Sequence, residues 1–460
     1  MRVTLSDRTL ILLLLATNAL LKFSWMGVND LSGDEPFTVY WSLQPITALF
    51  EMLRTENNPP LHFLLVKLWG SFTPLQETWL RIPSATFSIL TVWPMFLLAR
   101  RMSDRWVALV ACLLFTLNNH QYLYAHEVRG YSLLLLLTVL AVWVVVREAS
   151  ALSKHWALLA LVFVGLVYTH FFGWLVIGLL GICVFVVREL RPARRLWIIA
   201  AIVAAMAYLP YGIIFFHRAS ESMASGTWVK AHQVDEIWHM LRRWCNQPLV
   251  TVILLVPVLF VVVKDRARHI ALRFGSLWLL VPLLGLWLLQ WIVPVYVDRY
   301  LLFASPGFYL LVGHSLVHVI TTAHWRWVLP TTGVLAMAFT FTPWKDNGQH
   351  PSRAADQVRA WQHSRTDPQV LVFPPWYKLT LQWHLDKSCF INPSWSNYFD
   401  PALNDKERPG SIHGSSEVVV VRQGNAEIEF PTYGPAQSPP FILADSVRTD
   451  DLVRVYRFRR

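Results

Sequence analysis

Charge is what this 460-residue sequence has least of: Asp, Glu, Lys and Arg make up 15% of it, against roughly a quarter in an ordinary soluble domain. Hydrophobic residues account for 55% and the mean hydropathy is +0.40, which excludes a water-soluble globule. Cysteine is scarce too. Of the four, Cys112 and Cys183 lie inside apolar runs, and no CxxC or Cys/His spacing occurs, which excludes a disulfide framework and a zinc module. Internal repeats, low-complexity tracts and an HExxH spacing are all missing.

What is abundant is the apolar run of about 18 or more residues with few charges, which recurs from Leu10 to Phe341. In lipid each backbone group must be satisfied within its own segment, so the expected class is a polytopic α-helical membrane protein. The net charge of +11 then reports topology before it reports partners, and no nucleic-acid partner is expected. Arg100, Arg101 and Arg105; Arg147 and Lys154; Arg188, Arg191, Arg194 and Arg195; Lys264, Arg266, Arg268 and Arg273; and Arg326 fall in five short loops, expected inside. The spans assigned on that basis are 8–27, 80–99, 106–124, 130–146, 156–169, 171–187, 196–216, 248–263, 272–292, 300–320 and 327–343. About 11 crossings place the N-terminus in the cytoplasm and the C-terminus outside. The first run, "RTLILLLLATNALLKFSWM", has no small-x-small cleavage site after it and reads as a retained anchor. Cys245 and Cys389 both fall outside on this reading, which leaves one disulfide open.

The organisation is expected to be a transmembrane domain over 1–343, whose first outer loop (28–79) carries two interfacial helices, and a C-terminal extracytoplasmic α/β domain over 344–460. "FTVYWSLQPITALFEMLR" and "PPLHFLLVKLWGSF" mix aromatic, aliphatic and polar positions at near-helical spacing, as helices lying along a membrane do. After Phe341 the composition turns polar. A helix is expected near Arg353–His363, with strands at "QVLVF", "EVVVV" and "LVRVYRF".

Against this apolar background the polar residues stand out, and the topology puts them on one side: Asp34 and Glu35; Asn57, Asn58 and His62 in "ENNPPLHF"; His126, Glu127, Arg129 and Tyr131 in "YAHEVRGY"; His170 in "YTHFFG"; His217 and Arg218; and Asp298, Arg299 and Tyr300 in "PVYVDRY". Singly each has an ordinary role as a solvated loop acid or an interfacial anchor. Together they point to a site, because ionisable groups near membrane spans mark function. A carboxylate can take a proton from a hydroxyl or amine, and arginine forks suit a phosphate, so group transfer from a phosphorylated lipid is the chemistry expected.

"GDEPFTVYW", "NNPPLHFLLVKLW", "LRIPSATFSIL", "YAHEVRGYSLLLLL", "YTHFFG" and "PVYVDRYLLFASPGFYLL" together resemble the GT-C membrane glycosyltransferases. The likeness is to the bacterial branch related to the aminoarabinose transferase of lipid A and to protein O-mannosyltransferases, and it runs from about Arg8 to about Phe341. It implies inverting transfer of a sugar from a polyprenyl-phosphate donor to an envelope glycan, lipid or protein on the outer side of a bacterial plasma (inner) membrane. Asp34 would be the general base and Glu35 would position the acceptor or tune the base. Arg129 and Arg299 would hold the carrier phosphate, and Glu127, His126 and His170 would line the pocket, with Tyr300, Asn58, His62 and Tyr131 beside them. No DxD motif stands in an inner loop, in keeping with a lipid-linked donor. Family members differ on metal, so a divalent ion stays open, and no other cofactor is implied. The competing reading is a transporter or flippase of a lipid-linked sugar, for which polar groups deep in the bilayer and repeats would be expected.

Overall fold

The computed structural model of the chain describes residues 5–56, 58–149, 155–225, 229, 234–265, 268–320, 322, 325–362, 369–391, 417–426 and 442–459. Its helices are α1 (Asp7–Ser24), α2 (Glu35–Leu43), α3 (Ile46–Thr55), α4 (Pro60–Gly70), α5 (Glu77–Met102), α6 (Arg105–Thr116), α7 (Asn119–Ala125), α8 (Tyr131–Glu148), α9 (Trp156–Thr169), α10 (Gly173–Val186), α11 (Arg194–Ser225), α12 (Glu236–Trp244), α13 (Pro248–Asp265), α14 (Ile270–Leu289), α15 (Ser305–His318), α16 (Val328–Thr340), α17 (Pro351–Gln362) and α18 (Lys378–Leu385). A four-stranded sheet is built from β1 (Gln369–Phe373), β2 (Glu417–Gln423), β3 (Ile442–Arg448) and β4 (Val453–Arg459). The chain packs as two units. One comprises Met1–Trp25, Phe50–His62 and Arg81–Pro343; the other comprises Met26–Leu49, Phe63–Leu80 and Trp344–Arg460. Packing therefore divides the chain differently from composition, since much of the segment 28–79 clusters with the C-terminal residues.

In the first unit, six helices among the described residues are long and apolar enough to cross a membrane: Glu77–Met102, Tyr131–Glu148, Arg188–His217, Pro248–Asp265, Ile270–Leu289 and Asp298–His318. Four shorter apolar helices accompany them, α6, α9, α10 and α16, and α1 adds an apolar helix that carries Asp7, Arg8 and Lys22. The outward faces are apolar as well. Leu209 and Ile213 on α11 and Leu259 and Val263 on α13 stand exposed, where a soluble protein would carry polar groups. This is the surface of a protein solvated by lipid, so the chain is an integral membrane protein.

Two of the assigned runs are not single α-helices. The run 106–124 breaks at Leu117, because the Asn118 side chain accepts the Gln121 N–H at 2.9 Å and starts α7 afresh. The run 300–320 opens as a 3-10 turn over Asp298–Ala304. Pro306 brings no N–H to the Leu302 carbonyl, which the Ser305 hydroxyl reaches instead at 2.7 Å.

The expected first interfacial helix is two, α2 in the second unit and α3, whose residues from Phe50 on belong to the first, because Pro45 forces Gln44 into extended backbone (ψ 162°) between them. The sheet order is β1-β2-β4-β3, with β1 and β2 parallel and the other pairs antiparallel. β2 is central and buried on both faces: Val419 and Val421 join Ala354, Val358 and Leu381, while Val418 and Val420 join Leu371 and Phe373. An unbroken valine run is what such a strand requires. β3 is an edge strand, exposed at six of its seven residues.

Candidate functional site

The site in the first unit grows from one tight turn. α7 ends at His126, and the Arg129 N–H bonds the Glu127 carbonyl at 2.8 Å, which swings the chain into α8. Gly130 makes that turn fit. A Cβ there would lie 3.2 Å from Thr169 Cγ2 and 3.5 Å from His62 Cβ, so a larger residue would press the turn against the end of α9.

Out of this turn the half-buried Arg129 places its guanidinium 5.8 Å from the centre of the Tyr131 ring and donates from Nη2 to Asn58 Oδ1 at 3.3 Å. Arg299, at the start of the 3-10 turn, places its own guanidinium 5.9 Å from the same ring and 5.7 Å from that of Tyr300. His170 completes the group, 5.9 Å from Tyr131 and 5.3 Å from Tyr300 between ring centres. Its Nδ1 accepts the Phe172 N–H at 3.1 Å, which leaves the proton on Nε2.

Two histidines report the field of these arginines. Burial first, and Arg129 next, hold His62 down to about 3. Burial, then Arg129 and Arg299, hold His170 down to about 3. Both rings are therefore neutral at physiological pH beside two fixed cations, an arrangement that favours an anion.

Arg129, Arg299, Tyr131, Tyr300, His170, His62 and Asn58 are thus brought together. His126 faces elsewhere: its Nε2 lies 2.7 Å from the Lys22 carbonyl, its ring is 4.2 Å from that of Tyr122, and burial above all lowers its pKa to about 4. Glu127 contributes its backbone carbonyl to the turn. Asn57 lies outside the described residues, as does the side chain of Cys389, while Cys245 is a buried free thiol.

Asp34 and Glu35 belong to the second unit. Gly33 has φ +60°, which turns the chain so that Asp34 stands exposed at the head of α2, its side chain not capping the helix. Glu35 is 4% exposed, and its Oε2 accepts the Ser32 N–H at 3.3 Å. C-terminal residues hold this loop. Ser352 N–H bonds Asp30 Oδ2 at 3.0 Å, Asn347 N–H bonds Asn29 Oδ1 at 2.9 Å, and His384 Nε2 lies 2.9 Å from the Leu31 carbonyl. These contacts hold the backbone just before Asp34, whose side chain stays exposed.

Sequence reasoning missed the residues behind Arg299. His120, Tyr124 and Arg243 lie around Asp298, with Glu236 paired to Arg243, and the only advance signal was the amphipathic segment "EIWHMLRRW", which is α12. Among the described residues no set of three or more His, Cys, Asp or Glu side chains is arranged to hold a metal ion.

No protein-family model and no curated protein sequence matches the chain. Solved structures do. ArnT from Cupriavidus metallidurans bound to undecaprenyl phosphate is similar over 98% of this chain and 98% of its own, with TM-score 0.61 and 13% identity. Its apo state aligns over 97% of each chain, with TM-score 0.60 and 14% identity. The archaeal oligosaccharyltransferase AglB from Archaeoglobus fulgidus, in complex with an inhibitory peptide and a dolichol-phosphate, is similar over 82% of this chain and 64% of its own, with TM-score 0.53 and 11% identity. This chain therefore shares its fold with ArnT over nearly all of both chains, and with AglB over 64% of that chain.

Proposed function

We propose that the chain is an inverting glycosyltransferase that moves a hexosyl or pentosyl unit from a polyprenyl-phosphate donor to an envelope glycan, lipid or protein on the outer side of a bacterial plasma membrane. The observation that carries this reading is the pair of guanidiniums of Arg129 and Arg299 over one tyrosine ring, with two neutral histidines beside them. A fold shared with a protein bound to undecaprenyl phosphate and another in complex with a dolichol-phosphate supports a lipid carrier. The basic loops support an inside N-terminus, eleven crossings and an outside C-terminal domain.

In the proposed reaction an oxygen or nitrogen of the acceptor attacks the anomeric carbon. The new bond forms as the bond from that carbon to the phosphate oxygen breaks, and the electron pair leaves with the phosphate. The acceptor's proton passes to the Asp34 carboxylate, and Glu35 positions that loop. One displacement inverts the carbon. The leaving phosphate departs charged, so fixed cations at Arg129 and Arg299 serve it better than a general acid would. Tyr300, Tyr131, His62, His170 and Asn58 shape the phosphate site. The geometry of the described residues supplies no metal centre, and no step is routed through one.

The test is transfer of label from a mixture of polyprenyl-phosphate sugars to envelope extract, in membranes holding equal amounts of wild type or Asp34→Asn. Transfer by the wild type, with a fall of roughly 10² or more in the variant, is expected. Equal transfer by both would remove Asp34 from the mechanism. Labelled lipid changing leaflet without transfer by either would turn the reading to a flippase.

A further inference from the structure

The Arg299 guanidinium sits at the end of a chain of polar contacts that the reaction above does not use. Asp298 is its hub. Oδ1 accepts the backbone N–H of Arg299 at 2.8 Å and the hydroxyl of Tyr124 at 3.4 Å. Oδ2 faces Arg243 Nε at 3.5 Å and His120 Nε2 at 3.7 Å. Arg243 is held in turn by Glu236, Nη1 to Oε1 at 2.5 Å, which makes α12 a brace rather than a loose surface helix. The rings continue the chain. His120 lies 4.9 Å from Tyr124, and Tyr124 lies 5.5 Å from Tyr131, the ring that Arg129 and Arg299 share.

Asp298 thus touches the Arg299 site through two contacts, with the backbone N–H of Arg299 and with Tyr124, whose ring meets Tyr131 edge-on. Its other oxygen faces Arg243 and His120, so its negative charge is met by a cation of its own. An unpaired carboxylate beside an anion held by Arg299 would repel it. One paired with Arg243 fixes Arg299 with less opposition to that anion. We infer that Asp298, braced by Arg243, is a positioning residue that fixes Arg299 and the Tyr131 ring for binding of a phosphate-bearing lipid. This inference rests on the proposed function of the same site.

A static positioning role acts on ground-state binding of the donor phosphate, so it predicts a particular split in kinetics. Asp298→Asn keeps an acceptor for the Arg299 N–H but loses the charge that holds Arg243. Donor KM is expected to rise roughly five- to tenfold while kcat stays within about twofold, the pattern of lost uniform binding. Arg243→Gln is expected to do the same. Because both act through one contact, the double variant should be no worse than either single one, and Asp298→Ala, which also frees the Arg299 N–H, should be worse than Asp298→Asn.

The experiment measures these kinetics, and binding of undecaprenyl phosphate alone, for the full-length protein in detergent, with monodispersity checked for every variant. Weakened binding of the lipid phosphate with coupled, non-additive effects of the two substitutions supports the inference. Unchanged binding, independent multiplicative effects, or a fall in kcat without a change in KM would overturn it while the wild type still binds and transfers. Failure of the wild type to bind the lipid phosphate would overturn the inference together with the function on which it rests.

Discussion

Arg129 and Arg299, 170 positions apart in the chain, hold their guanidiniums 5.8 and 5.9 Å from the centre of a single ring, that of Tyr131. Tyr131 is 2% exposed, so it is a fixed platform that sets the spacing of two cations. Loss of either charge should weaken the grip on a phosphate. Arg129→Gln or Arg299→Gln is expected to raise donor KM by about 30-fold or more, the effect of removing roughly 2 kcal/mol of charge-assisted hydrogen bonding. Tyr131→Phe keeps the ring and should stay within a fewfold of wild type, whereas Tyr131→Leu should resemble loss of an arginine. Steady-state kinetics over a donor titration checks the series.

Gly33 and Glu35 flank the proposed base, and each can be changed without touching its carboxylate. Gly33→Ala places a Cβ on backbone at φ +60° and is expected to lower stability by about 1 kcal/mol. Glu35→Gln retains an acceptor for the Ser32 N–H, so folding should be kept, and kcat should fall less than with Asp34→Asn. Thermal unfolding beside single-turnover rates separates the two effects. A Glu35→Gln variant as inactive as Asp34→Asn would move the base to Glu35.

The buried histidines make stability depend on acid. His62 and His170 are held near 3 and His126 near 4, all below the ordinary 6.5, chiefly by burial. The unfolded chain therefore binds more protons than the folded one as pH falls through 6.5. The stability that is whole above that value drains away below it, until the folded values are reached. Between pH 6.5 and 5 each group costs up to roughly 2 kcal/mol. Melting temperature in detergent is expected to drop between pH 7.5 and 5, and His170→Asn, which keeps an acceptor for the Phe172 N–H, should flatten that slope.

Much of this was legible in the sequence because a membrane leaves few alternatives. An apolar run must be helical, and an ionisable residue at its end stands out, which is how Arg129, His170 and Arg299 could be named together. The strands "QVLVF" and "EVVVV" were legible because a strand buried on both faces is a continuous run of branched residues. β3, "ILADSVR", was not, because an exposed edge strand carries no such run. Nor was the setting of Asp298. His120, Arg243 and Glu236 come from α7 and α12, about 120 residues apart in sequence, and no local pattern states that they meet. The grouping of residues 26–49 and 63–80 with the C-terminal residues was hidden for the same reason, since it depends on single contacts such as that of His384 with Leu31.

One such distant contact carries the last prediction. Asn246 has φ +65°, and its side chain clamps the break between α6 and α7. Oδ1 accepts the Asn119 N–H at 2.8 Å and Asn118 Nδ2 at 3.0 Å, while Nδ2 donates to the Leu117 carbonyl at 2.9 Å. Asn119 extends the clamp to the end of α16, giving Nδ2 to the Thr340 carbonyl and accepting the Thr342 N–H, both at 2.9 Å. α7 carries His120 and Tyr124, so this clamp also sets what stands behind Arg299. Asn246→Gly keeps the backbone and loses the hydrogen bonds; Asn246→Ala loses both. The expected order of stability is wild type, then Gly, then Ala. The first step is about 2 to 3 kcal/mol, for buried partners left unsatisfied, and the second is about 1 kcal/mol more, for the left-handed backbone. Chemical or thermal unfolding of the three proteins in one detergent reads the order directly. An Ala variant as stable as Gly would mean that the turn relaxes out of the left-handed region, and that the side-chain bonds alone hold α7 in place.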